Sequence, residues 1–193
     1  MAEVSIPFDV ESIGEWAFAY CASLESIIIL DSVKSIGDYA FFKCTSLKSI
    51  TIPDSVESIG SVAFGACTSL ESIAIPDSVK FIENSAFEDC TSLENIVIPK
   101  SIKSIGYRTF KDCISLKSIT IPDSIESIGD YAFAYCKSLE SIVIPKLINS
   151  IGYRTFKDCI SLKEVVFKGK TIDQVKAMLY YPWGIKDTSI IKC

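Results

Sequence analysis

Cysteine, the most nucleophilic side chain in this sequence, recurs at a fixed interval of 23 residues. The series comprises Cys21, Cys44, Cys67, Cys90, Cys113, Cys136 and Cys159, and Cys193 lies outside it. Zinc sites use cysteine pairs about two to four residues apart, so this spacing does not predict a metal site. If the segments between these cysteines stack on one another, the cysteine side chains point the same way, which disfavours disulfide bonds between them. We predict small thiols buried in the core.

Serine also recurs at this interval and raises the question of nucleophilic catalysis. The column contains Ser23, Ser46, Ser69, Ser92, Ser115, Ser138 and Ser161. The chain has no histidine that could activate a hydroxyl as a general base. It also lacks a glycine-rich phosphate loop and a pair of carboxylates placed for acid–base chemistry. We therefore predict neither an enzyme nor a cofactor site, and interpret the serines as a hydrogen-bond ladder that seals the bends.

The interval belongs to a repeat that spans most of the chain. Phenylalanine and leucine keep the same step, at Phe18, Phe41, Phe64, Phe87, Phe110, Phe133 and Phe156 and from Leu24 to Leu162. Identical residues at a fixed period indicate identical surroundings in each unit, which is typical of a solenoid whose coils stack on one another. We expect the phenylalanines to form a single row inside it.

One unit shows how a coil is built. Leu47, Ile50 and Ile52 alternate as in a short strand, with isoleucine inward, and stacked strands form one main parallel sheet. Pro53 ends the strand because it has no amide to donate. Val56 and Ile59 predict a second short strand on the opposite wall. Gly60 predicts a bend, and the residues after it predict a 3₁₀ or helical turn.

The pattern stops after Phe167, and residues 168–193 predict a cap over the last coil. Thr171 and Gln174 have the spacing of a capping box, which begins a helix at about 172–180. Pro182 disfavours helical geometry in the residue before it. We expect Trp183 to pack within this cap.

The segment SLKSITIPDSVESIGSVAFGAC (46–67) resembles the BspA-like leucine-rich repeats, whose pattern is SLxSIxIPxSVxSIGxxAFxxC. The resemblance implies a right-handed α/β repeat solenoid, with seven units over residues 1–167 followed by the cap. It also implies a secreted or cell-surface binding protein, often an adhesin. No catalytic residue is implied.

Composition and the chain start bear on partners. The net charge of −5 and the absence of a basic run argue against binding to nucleic acid. The sequence has no apolar stretch long enough to predict insertion into a membrane. The start, MAEVSIPFDV, lacks the basic and apolar regions of a secretory signal. Because the chain opens in the middle of a unit, its uncapped first strand predicts a possible end-on homodimer.

Two sets of outward positions remain as candidate binding residues. The first is a mildly apolar stripe on the main sheet, at Ile28, Thr51, Ala74, Val97, Thr120 and Val143. The second lies near the bend and contains residue types common at interaction hot spots: Tyr39, Tyr107, Tyr131 and Tyr153, beside Trp16, Val62, Arg108 and Arg154. We predict a module that binds a protein or glycan on another surface. The alternative is a purely structural or consensus-designed scaffold without a ligand.

Overall fold

The computed structural model describes residues 2–193, and its side chains from residue 6 onward. Short parallel strands stack coil upon coil, which confirms the leucine-rich repeat solenoid. Eight strands form the main wall: β1 (Ala2–Ser5), β3 (Leu24–Ile28), β5 (Ser49–Thr51), β7 (Ser72–Ala74), β9 (Asn95–Val97), β11 (Ser118–Thr120), β13 (Ser141–Ile144) and β15 (Glu164–Phe167). They pair in register, as in Ile50 with Ile73.

The main sheet is divided into two hydrogen-bonded segments where a single sheet was predicted. The first has the order β1-β3-β5-β7-β9-β11, and the second contains β13, β15 and β16 (Ile191–Lys192). Near the division, the amide of Glu140 lies 3.4 Å from the carbonyl of Lys117, whereas the next coil's equivalent bond, from Lys163 to Glu140, measures 2.8 Å. The strand ladder is therefore interrupted between β11 and β13.

The opposite wall carries the predicted second strands, each two residues long. They are β2 (Ser12–Ile13), β4 (Ser35–Ile36), β6 (Ser58–Ile59), β8 (Phe81–Ile82), β10 (Ser104–Ile105), β12 (Ser127–Ile128) and β14 (Ser150–Ile151). Each buries its isoleucine, except that Ile82 is half-buried. This sheet is also divided, between β8 and β10.

The phenylalanines form one row through the core, as predicted. Neighbouring rings from Phe18 to Phe156 have centroids 5.2–5.9 Å apart and planes within 8° of parallel. Phe41 and the five that follow are fully buried, and Phe18 is half-buried. Such stacking adds about 0.5–1.5 kcal/mol per pair to the burial of the rings. The row therefore couples each coil to the next.

The segment that carries each phenylalanine is a run of turns, where a 3₁₀ or helical turn was predicted. Two positions in every unit have a left-handed backbone, and glycine occupies none of them. The first set is Trp16, Tyr39, Val62, Ser85, Arg108, Tyr131 and Arg154, and the second is Tyr20, Lys43, Ala66, Asp89, Asp112, Tyr135 and Asp158, with φ between 52° and 63°. Left-handed backbone costs roughly 1–2 kcal/mol per residue and interrupts any helix.

The repeated glycine is required for close stacking of the coils, whereas the sequence predicted a role in the bend. A Cβ on Gly152 would lie 2.3 Å from the backbone nitrogen of Asp130 in the preceding coil, and one on Gly60 would lie 2.6 Å from that of Asp38. Neither glycine has a positive φ. The absence of a side chain therefore matters more here than backbone freedom.

Glu83 replaces this glycine in the fourth unit, and the second sheet is divided next to it. A Cβ on Gly106 would meet no backbone atom closer than 3.5 Å, which indicates that the coils on either side of this position lie farther apart. The Asn84 side chain still links the two coils by accepting a hydrogen bond from the Tyr107 amide at 2.8 Å, as Asp38 and Asp130 do between closely stacked coils. The coils thus stack differently where the glycine is missing.

The cap replaces a further coil with a short helix and a buried tryptophan. Helix α1 (Ile172–Lys176) begins at the predicted capping box of Thr171 and Gln174 but is shorter than the predicted 172–180. Ala177 caps it, and Tyr180 has a φ of 63°, which is incompatible with helix. Trp183 is fully buried, as predicted, and its carbonyl accepts the Phe156 amide at 3.0 Å. A 3₁₀ helix (Thr188–Ile190) precedes β16.

Candidate binding surface

The thiols form a ladder that ties each coil to the one before it. In six coils the cysteine Sγ donates to the carbonyl of the phenylalanine in the preceding unit, at 3.0–3.2 Å, beginning with Cys44 and Phe18. These six cysteines are buried and free, but Cys21 is exposed, contrary to prediction, because no described coil lies against it. Cys193 is also free and exposed.

Burial of these thiols makes them poor nucleophiles. Desolvation raises the pKa of Cys44 and of Cys159 to about 12. It also raises the pKa of Cys90 well above its usual range, and the adjacent thiol of Cys113 adds to this effect. A thiol that stays protonated neither attacks a substrate nor binds a metal. Within residues 2–193, no group of histidine, cysteine and carboxylate side chains is placed to hold a metal ion.

The hydroxyl ladder is real, but it is built from a different serine column from the one predicted. Ser55, Ser78, Ser101 and Ser124 each donate to a carbonyl of the preceding coil, for example from Ser55 Oγ to Val33 at 2.7 Å. Ser69 and its equivalents donate no side-chain hydrogen bond within the described chain. The donating serines follow the proline turn, where carbonyls lack a strand partner.

The predicted stripe lies on the outer face of the main sheet, which we call the strand face. All six of its residues are exposed, and Ile28, Val97 and Val143 are 49%, 63% and 42% accessible. Beside them, Lys117 pairs with Glu94 at 2.9 Å and Lys163 pairs with Glu140 at 3.1 Å. The strand face is thus smooth and mildly apolar, and charges of the neighbouring coils neutralise each other along its border.

The second predicted set lies on the turns, and three of its tyrosines belong to one continuous aromatic surface. Edge-to-face contacts join Tyr107 to Tyr131 at 6.4 Å, Tyr131 to Tyr153 at 5.7 Å, and Tyr153 to Tyr180 of the cap at 5.8 Å. The guanidinium of Arg108 lies 4.7 Å from the Tyr107 ring centre. We call these four tyrosines, with Arg108 and Arg154, the Tyr–Arg face.

The arginines of this face are held by rings more than by carboxylates. Arg154 lies 4.8 Å from the Tyr153 ring and forms no ion pair with any described residue. The nearest carboxylate oxygen to Arg108 belongs to Glu88, at 3.8 Å. Glu88 lies closer to Lys111, at 3.0 Å. Cation–π contacts of this kind contribute about 0.5–1 kcal/mol at exposed sites and leave the guanidinium donors available.

Tyr39 lies away from the other three tyrosines, in a separate cluster near the start of the chain. Its ring stacks on Trp16 with centroids 4.1 Å apart, and the Phe42 ring meets both edge-on. Tyr20 lies beside Trp16, and Lys43 lies over the rings of Tyr20 and Phe42. Val62 and Ser85 separate this cluster from the Tyr–Arg face.

Several residues on the turns escaped the sequence reasoning. Tyr20, Lys43 and Tyr135 occupy the second left-handed position, and Tyr180 reaches the face from the cap. For the first three, their 23-residue column was the signal, because aromatic and charged residues occupy it in every unit except at Ala66. Tyr180 lies outside the repeat, so no column marked it. The proposed end-on pairing stays a prediction, since the side chains of β1 lie outside the described residues. Within the described chain, no helix is long and apolar enough to cross a membrane.

Comparison with solved structures agrees with this architecture. A leucine-rich cell surface protein from Faecalibacterium prausnitzii A2-165 is 35% identical, with a TM-score of 0.77 over 86% of this chain and 47% of its own. A leucine-rich repeat protein from Bacteroides ovatus is 31% identical, with a TM-score of 0.76 over 84% of this chain and 48% of its own. This chain therefore spans about half the length of these two proteins.

A third structure matches over most of its own length. The T. pallidum leucine-rich repeat protein is 31% identical, with a TM-score of 0.76 over 83% of this chain and 77% of its own. No curated protein sequence matches the chain. The profile described as the BspA type leucine rich repeat region, with six copies, matches residues 1–91 and 59–181. With its repeat of 23 residues and its stacked parallel coils, the chain belongs to the BspA-type leucine-rich repeat family.

Proposed function

We propose that this protein is a non-enzymatic binding module at the cell surface or outside the cell, and that it attaches to a macromolecule on another surface through the Tyr–Arg face. The similar F. prausnitzii protein is described as a cell surface protein, which supports this location. The observation that carries the proposal is the run of four tyrosines in contact, with two arginines lying over their rings.

Exposure and residue type support this choice of face. Tyr107 and Tyr153 are both 40% exposed, so their rings are not needed to fill the core. Tyrosine and arginine are also the residue types that dominate binding energy at protein surfaces. Large, half-exposed aromatic side chains in contact with one another point to a role outside the core.

The strand face is the second candidate. Three aliphatic side chains, Ile28, Val97 and Val143, lie 42–63% exposed on it, and exposed apolar patches commonly mark interfaces. Against this, β-branched residues favour strands whether or not anything binds. The alternative of a scaffold without a ligand predicts that neither face contributes to attachment.

One experiment separates the three possibilities. Beads coated with the protein are applied to wells of extracellular matrix, and retention under flow is compared between two triple variants. Tyr107→Ala/Tyr131→Ala/Tyr153→Ala removes rings of the Tyr–Arg face, whereas Ile28→Ser/Val97→Ser/Val143→Ser changes the strand face. We expect the tyrosine variant to lose most retention and the serine variant to keep it.

Folding must be checked for both variants. Alanine and tyrosine carry a similar left-handed penalty at position 131, so the tyrosine variant loses only ring contacts, worth about 0.5–1.5 kcal/mol per pair. Thermal unfolding should therefore stay cooperative. Loss of retention only in the serine variant would move the site to the strand face. If the unaltered protein and both variants were all retained only at the background level, the scaffold without a ligand would be favoured.

A further inference from the structure

Three cations lie on or beside the Tyr–Arg face of this acidic chain. Arg108, Arg154 and Lys157 lie on it or beside it, and Lys157 follows Arg154 within the same turn. None of them has a carboxylate oxygen closer than 3.8 Å within the described residues. The chain as a whole has a net charge of −5. Within the described residues, Arg154 therefore has no ion-pair partner, and Arg108 has only a distant one.

The carboxylates near these cations already have other partners. Glu88 and Asp112 contact Lys111, at 3.0 and 2.6 Å. Asp158 pairs with Lys186 at 3.1 Å, and the Oδ1 atom of Asp130 accepts the Tyr153 amide at 2.7 Å. These contacts keep the carboxylates from pairing closely with the guanidinium groups: Glu88 stays 3.8 Å from Arg108, and Arg154 has no ion pair within the described residues. A bound anion would supply a closer partner.

Both arginines are positioned in advance. Each guanidinium lies against a tyrosine ring, at 4.7 Å for Arg108 and 4.8 Å for Arg154, which restricts its movement. The Nε atom of Arg108 is buried and has no hydrogen-bond partner in the described chain. A guanidinium held in place loses less conformational entropy when it binds a carboxylate through two parallel hydrogen bonds.

The spacing of the arginines restricts the ligand further. They occupy equivalent positions two coils apart, and coils that pair as parallel strands repeat at about 4.8 Å, so equivalent atoms lie about 10 Å apart. Tyr131 lies between them and contacts Tyr107 and Tyr153 on its two sides. An extended disaccharide is about as long as two coils. A polysaccharide with one carboxylate per disaccharide would present successive anions at the arginine spacing, with sugar rings over the tyrosines.

We propose that the Tyr–Arg face binds a linear polysaccharide carrying one uronate carboxylate per disaccharide, with Arg108 and Arg154 pairing with successive carboxylates. This rests on the proposed function and specifies the chemistry of its partner. Lys157 would add charge at one end of the track. Its Nζ lies 4.9 Å from the Tyr135 ring and donates to the Tyr135 hydroxyl.

The test measures binding of a hyaluronan octasaccharide by the full chain, with titration calorimetry at low and physiological salt. Arg108→Gln/Arg154→Gln removes the two guanidinium groups. Lys117→Gln/Lys163→Gln is the matched control, because it removes two cations that are also two coils apart, on the border of the strand face. We expect the arginine variant to bind at least about tenfold more weakly, and the control to stay within about twofold.

Four outcomes would overturn the inference. Equal weakening in both variants would mean nonspecific charge attraction. Binding of poly-glutamate as tight as that of hyaluronan would assign the face to acidic peptides, and much tighter binding of heparin would assign it to sulfate groups. If matrix retention depends on the tyrosines but excess hyaluronan does not compete with it, the proposed function stands and the polysaccharide inference fails. Competition together with loss in the arginine variant supports both.

Discussion

The strand face and the turns that carry the two left-handed positions of each coil, which we call the turn wall, are built from the same repeat. They differ in which side chains they accept. On the strand face, the outward residues lie between isoleucines that point inward, and short side chains such as Thr51 and Ala74 form a uniform stripe. On the turn wall, tyrosine, arginine and aspartate replace one another from coil to coil. A ladder of paired strands favours β-branched residues at every step, whereas the turns fix only the backbone.

This difference teaches where specificity can arise in a solenoid. The strand face repeats a nearly constant surface, so it offers a ligand the same contact in every coil. The turn wall places aromatic clusters at two separate locations, with Val62 and Ser85 between them. The backbone beneath is held rigidly by glycine, thiol and phenylalanine contacts. Variation above a rigid base is the arrangement that selective binding requires.

The largest effect is expected where the coils stack most closely beneath the turn wall. Gly152→Ala would place a Cβ 2.3 Å from the Asp130 backbone nitrogen, which cannot move without shifting a coil. Overpacking of this kind costs about 1–3 kcal/mol. Urea unfolding should show that loss, whereas Gly14→Ala, where no atom lies within 4 Å of the added Cβ, should be nearly neutral. Similar stability of the two variants would contradict close stacking as the role of this column.

The thiol ladder should make the turns sensitive to alkaline pH. Burial raises the pKa of the Cys90 thiol well above its usual range. Above about pH 9 the unfolded chain loses this proton while the folded chain keeps it. The thiol's contribution to the free energy of unfolding is therefore complete at lower pH and declines as pH rises. The expected slope is about 1.4 kcal/mol per pH unit for each buried thiol.

Unfolding free energies measured from pH 8 to 10.5 check this expectation. Cys90→Ala will lower stability at every pH but should show a shallower decline than the unaltered chain, because one coupled thiol is gone. Cys193→Ala removes an exposed thiol and should leave the slope unchanged. Parallel curves for Cys90→Ala and the unaltered protein would rule out the ladder as the source of the pH dependence.

The smallest effect is expected at the border of the strand face. Lys117 and Glu94 are 58% and 49% exposed, so a double-mutant cycle should give a coupling below about 1 kcal/mol that falls with salt. The same cycle on Lys111 and Glu88, which are 19% and 18% exposed, should give a larger and less salt-dependent value. A reversed order would contradict the expectation that the partly buried pair of the turns is coupled more strongly than the exposed pair of the strand face.

Much of the fold was predictable because identical residues in a periodic chain must share one environment. The phenylalanine row, the strand positions and the capping box of Thr171 followed from spacing and residue type. The roles of Gly60 and Ser69 could not be predicted from spacing and residue type, because both depend on which atom of the neighbouring coil comes closest. The helix ends at Lys176 and could not extend to residue 180, because Tyr180 adopts a left-handed backbone that no local pattern marks.

The candidate site was predictable only in part. Exposed tyrosines and arginines could be selected by their outward columns, and Tyr107, Tyr131 and Tyr153 do lie together. Their connection to Tyr180 depended on how the cap folds back, and the separation of Tyr39 depended on two small residues between the clusters. Whether an arginine also meets a carboxylate depends on side chains of the neighbouring coil, such as Glu88, which lies nearer to Lys111 than to Arg108.

The sequence alone determined that this chain is a stack of equal coils with a phenylalanine interior, because no single coil of 23 residues can bury its own apolar side chains. Only the tertiary structure decided which polar groups remain without partners at the surface. Pairing across coils depends on atomic separations that a repeated pattern leaves open: Glu88 and Asp158 lie nearer to lysines, and the arginines rest on tyrosine rings.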